Sequence, residues 1–125
     1  MKIYTHEDLE VFKIAFQAAL EIYEQTKLFP KVENYALCDQ IRRSSRSVCA
    51  NLAEAFRKRF YPKMFFAKII ECEGEAAETQ VWIKFSASHK YIEANKAEEL
   101  NRTYDLIISK LVVMRNNSDK WTFNK

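Results

Sequence analysis

One glycine and two prolines in 125 residues leave this chain few ways to reverse direction tightly. Hairpin turns and phosphate-cradling loops both rely on glycine for backbone conformations that other residues resist, so neither is expected here. What remains is helix. The length is that of one ordinary domain, and 48% hydrophobic residues can fill a substantial core.

Apolar residues recur at helical spacing in four blocks. Leu9, Phe12, Phe16, Ala19, Leu20 and Tyr23 define a first helix from about Thr5 to about Leu28, with Thr5 and Asp8 placed as a capping box and Pro30 just beyond the end. Asn34 is placed to cap a second helix with the stripe Leu37, Ile41, Val48, Leu52 and Ala55, in which Ser44 or Ser45 fills one turn; Pro62 ends it near Phe60. Phe65, Phe66, Ile69, Ile70, Ala76, Ala77, Val81, Trp82 and Phe85 support a third helix from Pro62 to about His89. Gly74 inside it costs about 1 kcal/mol and offers close approach to another helix. After a break at Tyr91 to Asn95, Leu100, Tyr104, Ile107, Ile108, Leu111 and Met114 carry a fourth helix to about Asn116. The expected architecture is all-α, an up-and-down antiparallel four-helix bundle occupying residues 1–116. The tail, 117–125, is polar apart from Trp121 and Phe123; it either lacks fixed structure or docks through those aromatics on a neighbour.

Charge is distributed unevenly along these helices. Between Gln40 and Lys63, Arg42, Arg43, Arg46, Arg57, Lys58, Arg59 and Lys63 accompany a single acid, Glu54. Such a concentration meets phosphates or another acidic surface. Net charge is only +3, and the balance lies at Glu71, Glu73, Glu75 and Glu78, so the molecule is polarised rather than uniformly basic. Arg42 and Arg46 stand four apart and carry the planar fork suited to phosphate or carboxylate. Arg57, Lys58, Arg59 and Lys63, at the end of the second helix, are the set expected to be exposed.

Gln40, Arg43, Ser47, Asn51, Glu54 and Lys58 form a polar stripe beside the apolar one, readable as a hydrogen-bonded layer, an interface or a solvated face. Glu71, Glu75 and Glu78 lie along one line of the third helix and repel unless cations stand opposite, which points to the arginines of the second helix, within the bundle or between subunits. Di-iron bundles supply a Glu-x-x-His motif from each of two helices, and neither His6 nor His89 stands in one, so no metal or other cofactor is implied. Ser44, Ser45 and Ser47 have no base nearby in sequence and no nucleophile-elbow pattern, so no catalytic residue is assigned. Phe56, Phe60, Tyr61, Phe65 and Phe66 crowd the basic end of the second helix, first as core or bundle-closing residues and alternatively as platforms for unpaired bases.

Cys38, Cys49 and Cys72 are odd in number, widely spaced and far from histidine, which reads as reduced thiols packed in a core. The charged N-terminus has no signal-peptide character and no apolar run is long enough to span a membrane. A cytoplasmic protein without membrane contact is expected.

The segment Tyr35 to Ala55, YALCDQIRRSSRSVCANLAEA, with the preceding LFPKVENY, resembles the four-helix bundle family of 23S rRNA intervening-sequence proteins. The family pattern falls on Phe29, Pro30, Glu33, Tyr35, Leu37, Gln40, Arg42, Arg43, Ser47, Asn51, Ala53 and Glu54, while Ala55 stands where the family usually has glycine. LEVFKIA (Leu9 to Ala15) and EGEAAETQVWI (Glu73 to Ile83) resemble its opening and third-helix motifs, so the likeness spans nearly the whole chain. The resemblance implies a bundle that often forms a ring-like homopentamer, similar to the accessory protein of diversity-generating retroelements, a basic pentamer that binds nucleic acid and a reverse transcriptase. The family's name records a gene location in bacteria, not a place in the ribosome.

The expected function is that of a non-enzymatic oligomer binding RNA or DNA without sequence preference through the basic set. The alternative is a structural or protein-adaptor ring in which the arginines pair with Glu71, Glu75 and Glu78 across subunits.

Overall fold

A computed structural model describes residues 2–123. Four long helices, α1 (Glu10–Thr26), α2 (Leu37–Arg57), α3 (Pro62–Ser88) and α4 (Ala94–Asn116), are followed by a short α5 (Ser118–Trp121), and no strand occurs among the described residues. The sequence predicts the two middle helices to within a few residues. Short connections force consecutive helices antiparallel. Both α1 and α3 pack against α2 and α4, so α1 and α3 sit across the diagonal of the bundle. None of the helices is long and apolar enough to cross a membrane.

Local signals act somewhat differently from expectation at the starts. The capping box of Thr5 and Asp8 is formed: the Asp8 carboxylate accepts the Tyr4 N–H at 2.8 Å and the Thr5 N–H at 3.0 Å. Those bonds hold its carboxyl below the usual range. Yet the box starts a single 3-10 turn, His6–Asp8, and the regular helix begins only at Glu10 because Leu9 turns to extended backbone. Asn34 does not cap α2. It lies at the end of a second 3-10 turn, Lys31–Glu33, and the Glu33 carboxylate instead accepts the Leu37 N–H at 3.3 Å, where negative charge suits a helix start. The other Glu33 oxygen accepts the Tyr91 hydroxyl at 2.9 Å, linking this turn to the α3–α4 connection.

The core follows the predicted α2 stripe, with both Ser44 and Ser45 buried in the missing turn. Ser44 Oγ shares a proton with Thr79 Oγ1 at 2.8 Å, which satisfies two hydroxyls at the α2–α3 contact. On α1 the expected stripe is displaced. The buried residues are Val11, Ala15, Ala18, Ile22 and Thr26, whereas Phe16 is 50% exposed and Leu20 nearly as much. Small side chains let a neighbouring helix come close, so alanines occupy the inner face and the larger residues are displaced outward. On α3, Phe65, Ile69, Cys72, Ala76, Thr79, Ile83 and Ser86 face inward. Phe66, Ile70, Ala77, Val81 and Phe85, expected in the core, face out. Gly74 shares that outer face, and a Cβ built there would touch nothing within 4 Å, so no helix of the same chain uses its small size.

The tail does have structure as far as Phe123. Trp121 packs partly against the core, and the Phe123 N–H donates to the Arg59 carbonyl at 3.0 Å, returning the chain to the α2–α3 turn.

Candidate nucleic-acid interface

The polar stripe of α2 meets α3 along one seam. At one end the Arg43 guanidinium donates to Gln40 Oε1 and Glu78 Oε2, both at 3.3 Å, and the Trp82 indole N–H donates to the same Glu78 oxygen at 3.0 Å. At the other end Asn51 donates its amide to the Ser47 carbonyl and hydroxyl, each at 2.9 Å. Lys68 joins this end to α3: its ammonium lies 3.1 Å from Asn51 Oδ1, 2.7 Å from Glu54 and 3.0 Å from Glu71. The hydrogen bond from Lys68 holds the Glu54 carboxyl below its usual range, while the two carboxylates raise the lysine. Both ion pairs remain in contact with water, which screens them. Their consequence is register rather than bulk stability.

The expected pairing of the helix-two arginines with all three glutamates is therefore formed only at Arg43–Glu78. Glu71 is taken by Lys68 of its own helix, i,i+3, and Lys68 went unnoticed because an isolated lysine beside an acidic line carries no signal of which helix it will reach. Glu75 stands between them. Its Oε1 is shut off from solvent with no hydrogen-bond partner. Burial, reinforced by Glu78, pushes its carboxyl above the usual range, partly offset by Arg43. With the folded-state pKa raised, ionisation of Glu75 disfavours the fold: the cost is absent below about pH 4, grows as pH rises from the ordinary carboxyl range to the folded value, and is complete above it. Glu75→Gln is expected to raise Tm by about 2–4 °C at pH 7.5 and to leave it unchanged at pH 3.5. Thermal melts followed by circular dichroism at the two pH values read this directly; an equal shift at both would show that charge at Glu75 is irrelevant.

The basic residues divide into three groups. Arg42 and Arg46 lie over Tyr23 of α1, with guanidinium carbons 4.6 and 5.6 Å from the ring centroid, and Arg42 Nε donates to Thr26 Oγ1 at 2.8 Å. Arg42 thereby sits at the C-terminal end of α1, where a cation offsets the exposed carbonyls. Arg59, expected to be exposed, is held between rings: its guanidinium carbon is 3.6 Å from the Phe56 centroid and 4.8 Å from that of Phe123, and its Nε donates to the Phe56 carbonyl at 2.9 Å. Burial lowers its pKa without approaching neutrality. Arg57, Lys58 and Lys63 form the third group, at the corner where α2 passes to α3. None of them makes an ion pair among the described residues, and Arg57 and Lys63 are exposed.

The three thiols are unpaired, Cys38 and Cys72 buried and Cys49 half-buried. Burial pushes Cys49 up to about 11 and Cys72 to about 12, so both are protonated at neutral pH. Among the described residues no three histidine, cysteine, aspartate or glutamate side chains converge on one point.

The family model of the 23S rRNA-intervening sequence proteins matches residues 7–113. The chain belongs to that family. A solved structure similar to this chain comes from Bacteroides thetaiotaomicron VPI-5482, a protein of unknown function from the S23 ribosomal protein family. It superposes with a TM-score of 0.76 at 24% identity, covering 85% of this chain and 95% of that one. At that identity the likeness speaks for the bundle alone. No functionally curated protein matches the chain. The chain departs from the family pattern at Ala55, which is buried in the core at the last turn of α2, where helix rather than flexibility is needed.

Proposed function

We propose that this protein is a non-enzymatic, cytoplasmic, self-assembling bundle that binds RNA or DNA through phosphates, without reading bases in sequence. The observation that carries the reading is the turn from α2 to α3, where Arg57, Lys58 and Lys63 stand within seven residues and none forms an ion pair among the described residues. Cations gathered at one turn without an ion pair are available for an external anion, and a polyanion is the ligand that rewards several at once. Arg46, exposed beside the Tyr23 ring, extends the positive surface along α2.

Self-assembly is supported by the outer face of α3, where Phe66, Ala67, Ile70, Gly74, Ala77, Val81 and Phe85 form an exposed, mostly apolar strip with Lys63 and Lys84 at its two ends. A helix apolar on its outer as well as its inner face is suited to burial on both. Across the diagonal, α1 presents Phe16 and Leu20. Unlike faces on opposite sides of one subunit favour head-to-tail contacts, which close into a ring when the rotation allows. Five subunits is the number implied by the family resemblance. Repetition of the basic corner around such a ring multiplies weak phosphate contacts.

Size exclusion with light scattering, with and without a short labelled RNA, tests the proposal. An oligomer should carry the RNA at low salt and release it at physiological salt or above. An oligomer that never retains RNA at low salt would favour the adaptor reading, in which the arginines pair with the acidic line of Glu71, Glu75 and Glu78 across subunits; a monomer would exclude both.

A further inference from the structure

The α2–α3 corner contains a cleft as well as charge. About 120 Å³ of space is lined by Tyr4, Phe56, Arg57, Arg59, Phe60 and Phe123. Phe60 and Phe123 meet at 4.6 Å between centroids, tilted by 39°, and Arg59 is clamped between Phe56 and Phe123. That wall is fixed by the backbone bond from Phe123 to Arg59. The opposite side is set by Tyr4, whose N–H is held by Asp8 while its side chain is 74% exposed. Phe60 is half exposed and Tyr61, next to it, is 62% exposed. Phe60 and Tyr61 lie between Arg57 and Lys63 in sequence, and Phe60 lines the cleft together with Arg57.

Half-exposed aromatic rings beside the exposed Arg57 match a ligand that alternates flat bases with phosphates. We propose that this cleft accepts one unpaired base of a single-stranded nucleic acid, stacked against Tyr4 and Phe60, with an adjoining phosphate on Arg57. The inference rests on the phosphate-binding reading and adds strandedness to it. A base inside a duplex is already stacked and cannot enter, whereas a single strand offers every base to an aromatic platform.

The test is fluorescence anisotropy of the full chain with four fluorescein-labelled ligands: a uridine dodecamer, a thymidine dodecamer, an abasic dodecamer with the same backbone as the latter, and a twelve-base-pair duplex. One or both single strands should bind at least about tenfold tighter than the abasic strand and the duplex. Tyr4→Ala should weaken that binding about fivefold or more without changing its salt dependence, and Tyr4→Phe should retain it. Tyr4 is outside the core, so an unchanged Tm accompanies both variants. If the abasic strand or the duplex binds as tightly as the single strands, phosphates alone are recognised; the stacking inference falls and the parent reading survives. A single-strand preference that persists in the Tyr4→Ala/Phe60→Ala double variant places stacking elsewhere and equally overturns it. Absence of binding to all four ligands at low salt removes both readings.

Discussion

Val81→Glu converts the assembly to monomers, Phe16→Glu does the same, and an equimolar mixture of the two variants yields a dimer: this is the result expected if α3 of one subunit packs on α1 of the next. Val81 is 49% exposed and Phe16 about equally so, hence a carboxylate at either position points into water in the isolated subunit and leaves its fold intact. In the assembly the same carboxylate is driven into an apolar contact, where an unpaired charge costs several kcal/mol, so each interface weakens by about three orders of magnitude or more. Because the two faces belong to diagonal helices, each variant keeps one face intact, and the two intact faces are complementary. Sedimentation or light scattering of the separate and mixed variants reads the outcome. An oligomer unaffected by Phe16→Glu but lost on Val81→Glu would instead mean that α3 packs on α3 about a two-fold axis.

The second large effect is expected from charge reversal at Arg57, Lys58 and Lys63 together. Replacement of all three by glutamate should reduce nucleic-acid affinity at least about a hundredfold at low salt and flatten the dependence of log affinity on log salt by roughly 2 to 3 per subunit engaged. The oligomer and its Tm should change little, because these side chains make no ion pair among the described residues. Arg59→Ala provides the contrast. Its guanidinium is packed between Phe56 and Phe123, so its loss should lower Tm and leave the salt slope nearly intact. Equal binding by the charge-reversed protein and the parent would show that the corner is not the phosphate site.

Much of the fold can be read without coordinates, but unevenly. On α2 the large apolar residues are few and evenly spaced, and polar residues on the other side leave one choice of inner face. Periodicity therefore identified Leu37, Ile41, Val48, Leu52 and Ala55 correctly, together with the serines between them. Both α1 and α3 are apolar over so wide an arc that several rotations look equally good. Selecting the bulkiest residues then misplaces the core, since close helix packing prefers alanine, serine and threonine at the contact. An arc wider than one bundle can bury leaves Phe16, Leu20, Val81 and Phe85 at the surface.

The candidate site divides in the same way. That positive charge gathers at the end of α2 is a property of the sequence, as are the acidic line on α3, the helical class and the family motifs. Which cations are committed and which are free was decided only by tertiary structure. Arg43 reaches Glu78 across the seam, Lys68 takes Glu54 and Glu71, Arg42 turns to α1, and Arg59 is enclosed by a tail more than sixty residues away in sequence. Helical periodicity is a local property, set by backbone geometry over neighbouring turns, and it survives in the sequence. Pairing of long charged side chains depends on the distance and rotation between helices, which a periodic pattern records only where one inner face is unambiguous.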